Sequence, residues 1–73
     1  MKEYSVSIMK SKNGYYTGIW HHIKNCHATS YILALVMADP NISKLKTPIV
    51  RRPRKGLSTY EFDNEMYSVK LVS

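Results

Sequence analysis

Residues 4–16 read Tyr-Ser-Val-Ser-Ile-Met-Lys-Ser-Lys-Asn-Gly-Tyr-Tyr, and this stretch decides the fold. Tyr4, Val6 and Ile8 alternate with Ser5 and Ser7, which is the period of a half-buried strand. Asn13-Gly14 is the favoured two-residue hairpin turn, because both positions accept a positive φ. With those two residues as the loop, Lys12 faces Tyr15. The same register puts Ile8 opposite Ile19, Val6 opposite His21 and Tyr4 opposite Ile23. The aliphatic side chains then share one face, which a one-residue slip would scatter. The other face carries Met9, Tyr16, Trp20 and His22, a large apolar and aromatic surface unless Ile42 and Leu45 of the connector cover it.

Beyond the hairpin, residues 25–39 read as a helix. Asn25 or Thr29 suits its N-cap, and Pro40 follows its end. At 100° per residue Ala28, Tyr31, Ile32, Leu35 and Val36 face the sheet, while Leu33, Ala34 and Met37 face away. A helix that is apolar nearly all round is either fully covered or meets a partner. The outer face through Leu33 and Met37 permits a homodimer.

Asp39-Pro40-Asn41 turns the chain into a connector over 40–47, and residues 48–72 read as further strands. Ile49-Val50 leads into the basic segment, and Pro53-Arg54-Lys55-Gly56 makes a four-residue loop with Gly56 at positive φ. Leu57–Phe62 and Met66–Val72 pair through a turn at Asn64-Glu65, with Tyr60 facing Val69 and Phe62 facing Tyr67. Pro48 and Pro53 make the strand between them an edge, since neither donates to a ladder. The expected architecture is α+β, a single domain spanning 1–73: an antiparallel sheet in the order β-β-α-β-β-β with one helix packed on one face.

Composition narrows the function. The chain has 73 residues and one cysteine, so it forms no intrachain disulfide, and a reducing cytoplasm is the expected setting. Its N-terminus lacks the apolar core of a signal peptide. The apolar run Tyr31–Ala38 falls far short of the ~20 residues that span a bilayer, so no membrane partner is expected.

Charge is concentrated at one place. Arg51, Arg52, Arg54 and Lys55 lie within five residues, and with Lys44 and Lys46 they equal the formal +6 of the whole chain. Such a patch attracts an acidic partner, either a nucleic-acid backbone or the acidic face of a protein. Arginine suits the task because its planar fork donates two hydrogen bonds to phosphate or carboxylate. Four phosphate contacts would give log K a slope of roughly −3.6 against log salt. The bland alternative is a solvated loop that keeps an edge strand from aggregating. Tyr16, Trp20 and Met37 are the apolar anchor candidates, being residue types enriched at interfaces.

Two other clusters carry less. His21, His22, Cys26 and His27 hold four potential zinc ligands, but the spacing matches no standard finger, and adjacent His21 and His22 point to opposite faces of a strand. A site from His22, Cys26 and His27 at the strand–helix junction competes with a plain helix start, and no metal is expected. Ser, His and Cys occur without a nucleophile elbow, a metalloprotease helix motif or a glycine-rich phosphate loop. Neither an enzyme nor a cofactor is expected.

From Tyr4 to Val72 the order of elements resembles that of the small stand-alone proteins bacteriophages use against their hosts, including anti-CRISPR proteins. The resemblance rests on element order and size and carries over no site residue. It implies an inhibitor that blocks a surface of a host protein or ribonucleoprotein complex in the bacterial cytoplasm, such as a CRISPR effector or RNA polymerase. The alternative expectation is a small nucleic-acid-binding protein that contacts DNA or RNA phosphates with the 51–55 loop.

Overall fold

The computed structural model describes residues 1–44 and 47–72, without the side chains of Ser43 and Lys44. Its elements are β1 (Lys2–Lys12), β2 (Tyr15–Tyr16), β3 (His21–Ala28), α1 (Tyr31–Ala38), a 3-10 turn (Pro40–Lys44), β4 (Ile49–Arg54), β5 (Leu57–Glu61) and β6 (Glu65–Leu71). The strands form one curled antiparallel sheet, and the helix packs on one face, so the α+β architecture is as expected. Across the sheet the order is β1, β6, β5, β4, with β2 and β3 sharing the free edge of β1.

The hairpin turn forms at Asn13-Gly14, with φ of 54° and 83° and Lys12 opposite Tyr15. The register expected beyond it does not hold. Ile8 pairs with His21, Val6 with Lys24 and Tyr4 with Cys26. Two extra residues enter at Thr17–Trp20, where Gly18 sits at φ 79° and Thr17 Oγ1 accepts from Ile19 N at 3.3 Å. One more enters at a bulge opposite Val6/Ser7. Ile19 and Ile23 therefore lie exposed, and Cys26 and Ala28 take the inward places.

The same shift corrects the helix. Residues 25–28 are strand, because Lys2–Ser5 of β1 needs a partner along that edge and backbone pairing there outweighs local helix preference. The helix starts at Tyr31, capped by Ser30, whose Oγ accepts from Leu33 N at 3.3 Å. Asp39 N donates to Leu35 O at 3.0 Å, and Pro40 follows. An eight-residue helix is unstable alone, so packing must hold it. Its inward stripe is Tyr31, Ala34, Leu35 and Ala38, the i, i+3, i+4, i+7 pattern. Ala34 is thus buried and Ile32 exposed, the reverse of the expected assignment, while Leu33 and Met37 face out as expected.

The core lies between this stripe and the sheet, around Tyr4, Val6, Tyr60, Tyr67 and Val69. Ile42 joins it from the helix side rather than covering the opposite face, and Leu45 lies outside the described residues. Tyr60 pairs with Tyr67 and Ser58 with Val69, two residues from the expected register. A two-residue slip keeps every side chain on its face, so apolar matching alone does not exclude it.

Candidate acidic-partner interface

The four clustered cations lie on β4 and its turn, not in a four-residue loop. Arg54 pairs with Leu57, and the connection is only Lys55-Gly56, with Gly56 at φ 84°. β4 is the outer edge of the sheet, and every residue from Ile49 to Arg54 is exposed. The ladder is irregular between Arg51 and Arg54, around Pro53. Irregularity, proline and like charges block strand addition on this edge, so its side chains are left to make contacts.

Strand alternation divides the cations between two faces. Val50 lies opposite buried Tyr60, so Val50 and Arg52 share the helix side. The Arg52 guanidinium carbon lies 5.5 Å from the centroid of the Tyr31 ring. Arg51 faces the other way, and its Nη1 donates to Glu61 Oε1 at 2.6 Å. Arg54 and Lys55 are exposed, with no ion pair to another described residue.

Arg52, Arg54, Lys55, Gly56, Leu57, Ser58 and Tyr31 line an open cleft of about 340 Å³ between the start of α1 and the hairpin tip. Among the described residues, its lining holds three cations and no acid. Ser58 is buried, and its Oγ has no hydrogen-bond partner among the described residues. This hydroxyl lowers the pKa of Tyr60, as the nearby Arg52 charge does more strongly, but no hydrogen bond of good geometry links the two hydroxyls. Burial outweighs both, and Tyr60 titrates above the usual tyrosine range.

The apolar anchors do not gather around this cleft. Trp20 lies in the excursion between β2 and β3, on the opposite side of the sheet. Along the sheet, three strands (β1, β6 and β5) lie between that edge and β4. Trp20 is 43% exposed. Tyr16 is half-buried, with its hydroxyl 3.5 Å from both Glu61 Oε2 and Phe62 O. Burial, then Glu61, raises its pKa. Met37 is 50% exposed on the outer face of α1, beside Leu33 and Ile32. Lys46 lies outside the described residues, as does the side chain of Lys44.

The sheet face away from the helix was expected to be aromatic. Met9 is in fact buried, Trp20 lies outside the strands, and hydroxyls occupy the centre. One cross-strand row runs His22, Ser7, Ser68, Thr59, Arg51. The serines that alternate with Tyr4, Val6 and Ile8 were the available signal for this polar row, once both pairings of β1 were known. At the rim, Asn25 Oδ1 sits 2.8 Å from His22 Nε2, and Asn25 Nδ2 donates to Glu3 Oε2 at 2.9 Å.

The cluster considered for metal is split by the strand. Cys26 lies opposite core residue Tyr4 and is buried, while its neighbour His27 is exposed on the other face. His22, Cys26 and His27 therefore do not converge on one ion, and they belong to β3 rather than to a strand–helix junction. No group of three or more ligating side chains occurs among the described residues.

No family model, curated protein or solved structure is significantly similar to this chain.

Proposed function

We propose that this chain is a non-enzymatic binding protein that captures an acidic macromolecular partner through the β4–β5 hairpin. In the phage-type reading implied by its element order, it blocks the surface it covers on a host protein or ribonucleoprotein complex. The observation that carries the proposal is the disposition of Arg52, Arg54 and Lys55. They line one cleft on an exposed edge, without an acid among its described lining residues. A strand that merely resisted aggregation would need charge along its edge. Arg52 instead turns onto the helix side against Tyr31.

The exposed stripe Ile32, Leu33 and Met37 supplies apolar contact on the same side of the sheet as the cleft. In this arrangement charge sets the approach rate and the apolar stripe sets residence time. Trp20, at the far edge, contributes only if the partner spans the sheet. A reducing cytoplasm fits Cys26, a free and buried thiol. No helix among the described residues is long and apolar enough to cross a membrane.

Affinity capture from a bacterial lysate, with and without nuclease and read by mass spectrometry, tests this. A stoichiometric protein that survives nuclease supports a protein or ribonucleoprotein target. Recovery of nucleic acid alone favours the second reading, direct binding of DNA or RNA. The acid-free cleft is the specific observation in favour of that reading. Capture of nothing in either arm contradicts both.

A further inference from the structure

We propose that the cleft between Tyr31 and the β4–β5 turn is a binding site for a terminal phosphate, carried by a nucleotide or by the end of a nucleic-acid strand. This rests on the reading of the hairpin as an acidic-partner interface and names the chemistry of its centre.

The argument begins with charge. Arg52, Arg54 and Lys55 bring three positive charges to the lining, and Glu61 does not offset them, because it lies on the other face of β5 paired with Arg51. A phosphodiester carries one negative charge, whereas a phosphomonoester carries about −1.5 to −2 at neutral pH. A terminal phosphate with one neighbouring diester therefore matches the cleft better than a run of isolated diesters does. Two guanidinium forks and an ammonium also provide directed and rotatable donors for the three terminal oxygens.

The second argument is preorganisation. Arg52 is held over the Tyr31 ring, and Tyr31 is itself fixed against Tyr4, with centroids 4.9 Å apart. One guanidinium is thus oriented before a ligand arrives, which reduces the ordering penalty of binding. Ser58 lies on the same face of β5 as Tyr60 and lines the cleft, with an Oγ that has no hydrogen-bond partner. The cleft, about 340 Å³ and open to solvent, has room for a phosphate and part of the group that carries it.

Fluorescence anisotropy on the full chain provides the test. The probes are one short single-stranded oligonucleotide with a 5′-phosphate, with a 3′-phosphate or with hydroxyl ends, and a nucleoside diphosphate as competitor. A phosphorylated end should bind at least about tenfold tighter than the hydroxyl form, since one added charge-assisted contact is worth that much. Arg52→Ala and Arg54→Ala should each remove the preference, while Lys10→Ala and Lys12→Ala at the other hairpin keep it. Competition by the diphosphate at comparable affinity assigns the site to nucleotides, and failure to compete assigns it to strand ends. Equal binding of all end forms, or equal loss in all four variants, overturns the cleft proposal. If end forms bind equally yet Arg54→Ala still loses the captured partner, only the phosphate assignment fails. If partner capture is also unchanged, the hairpin reading fails with it. Circular dichroism of each variant confirms the fold, and Arg52→Lys keeps the charge if Arg52→Ala unfolds.

Discussion

Arg52 and Tyr31 are 21 positions apart in sequence, and the guanidinium of one lies 5.5 Å from the ring centroid of the other. The contact joins the edge strand β4 to the start of α1. The β4–β5 register puts Arg52 on the helix side, where it meets that ring, and Arg51 on the other. Arg52→Ala should lower stability by about 0.5–1 kcal/mol, the usual worth of an exposed cation–π pair. Arg51→Ala should change it less, because exposed ion pairs contribute little. Urea denaturation of both variants checks the order.

Tyr67 donates to Asp39 Oδ2 at 2.8 Å, and its ring is buried. Burial first, and then Asp39, push its pKa far above the ordinary tyrosine value of 10. Tyr60 and Tyr16 shift the same way, each chiefly through burial. Above pH 10 the folded chain then holds more protons than the unfolded one, so stability falls as pH rises. The contribution of these three tyrosines should begin to fall about one unit below pH 10 and decline further above it. Tyr67→Phe should shallow the alkaline decline while lowering neutral stability by roughly 1.5–3 kcal/mol, the worth of a hydrogen bond to a charged group. Thermal melts from pH 7 to 11 give both numbers.

Ser58→Ala should stabilise the free protein. A buried hydroxyl without a partner is left unsatisfied at about 1–3 kcal/mol, and alanine removes it at the expense of a small void. A gain of about 1 kcal/mol would raise Tm by roughly 4–8 °C. A lower Tm would mean that the hydroxyl is satisfied in solution.

Leu35 and Trp20 should separate core from surface. Leu35→Ala removes a fully buried side chain from the helix stripe and should destabilise by about 2–5 kcal/mol. Trp20→Ala should cost about 1 kcal/mol, because the indole is partly solvated in the β2–β3 excursion. Equal losses in a paired denaturation experiment would place Trp20 in the core and remove it from any interface.

These side chains also show what the sequence made legible. Asn13-Gly14 announced the first turn because two adjacent residues tolerate a positive φ. Pro48 and Pro53 marked β4 as an edge because proline cannot donate to a ladder. The path after Tyr16 was hidden, since Thr17-Gly18-Ile19-Trp20 continues a strand-like pattern while Gly18 turns the chain out of it. The basic run was plain, but its division into two faces depends on the β4–β5 register. The Tyr31 wall depends on where α1 begins, and Ser30 rather than Asn25 or Thr29 caps it. The sequence did not show that Trp20 follows β2, off the strands, and stays out of the lining of the basic cleft.

Cys26 gives a check on β3. It is 3% exposed on the core side, so thiol labelling of the native chain should be slow and limited by opening. Labelling should become fast in denaturant. Fast native labelling would put residues 25–28 back on the surface.

The most direct test of the central claim is charge reversal within the hairpin. Arg52→Glu/Arg54→Glu should lose the partner captured by the wild-type chain, whereas Lys10→Glu/Lys12→Glu, an equal charge change at the end of β1, should retain it. Retention by the first double variant, or equal loss by both, would contradict the assignment of the β4–β5 hairpin as the capture surface.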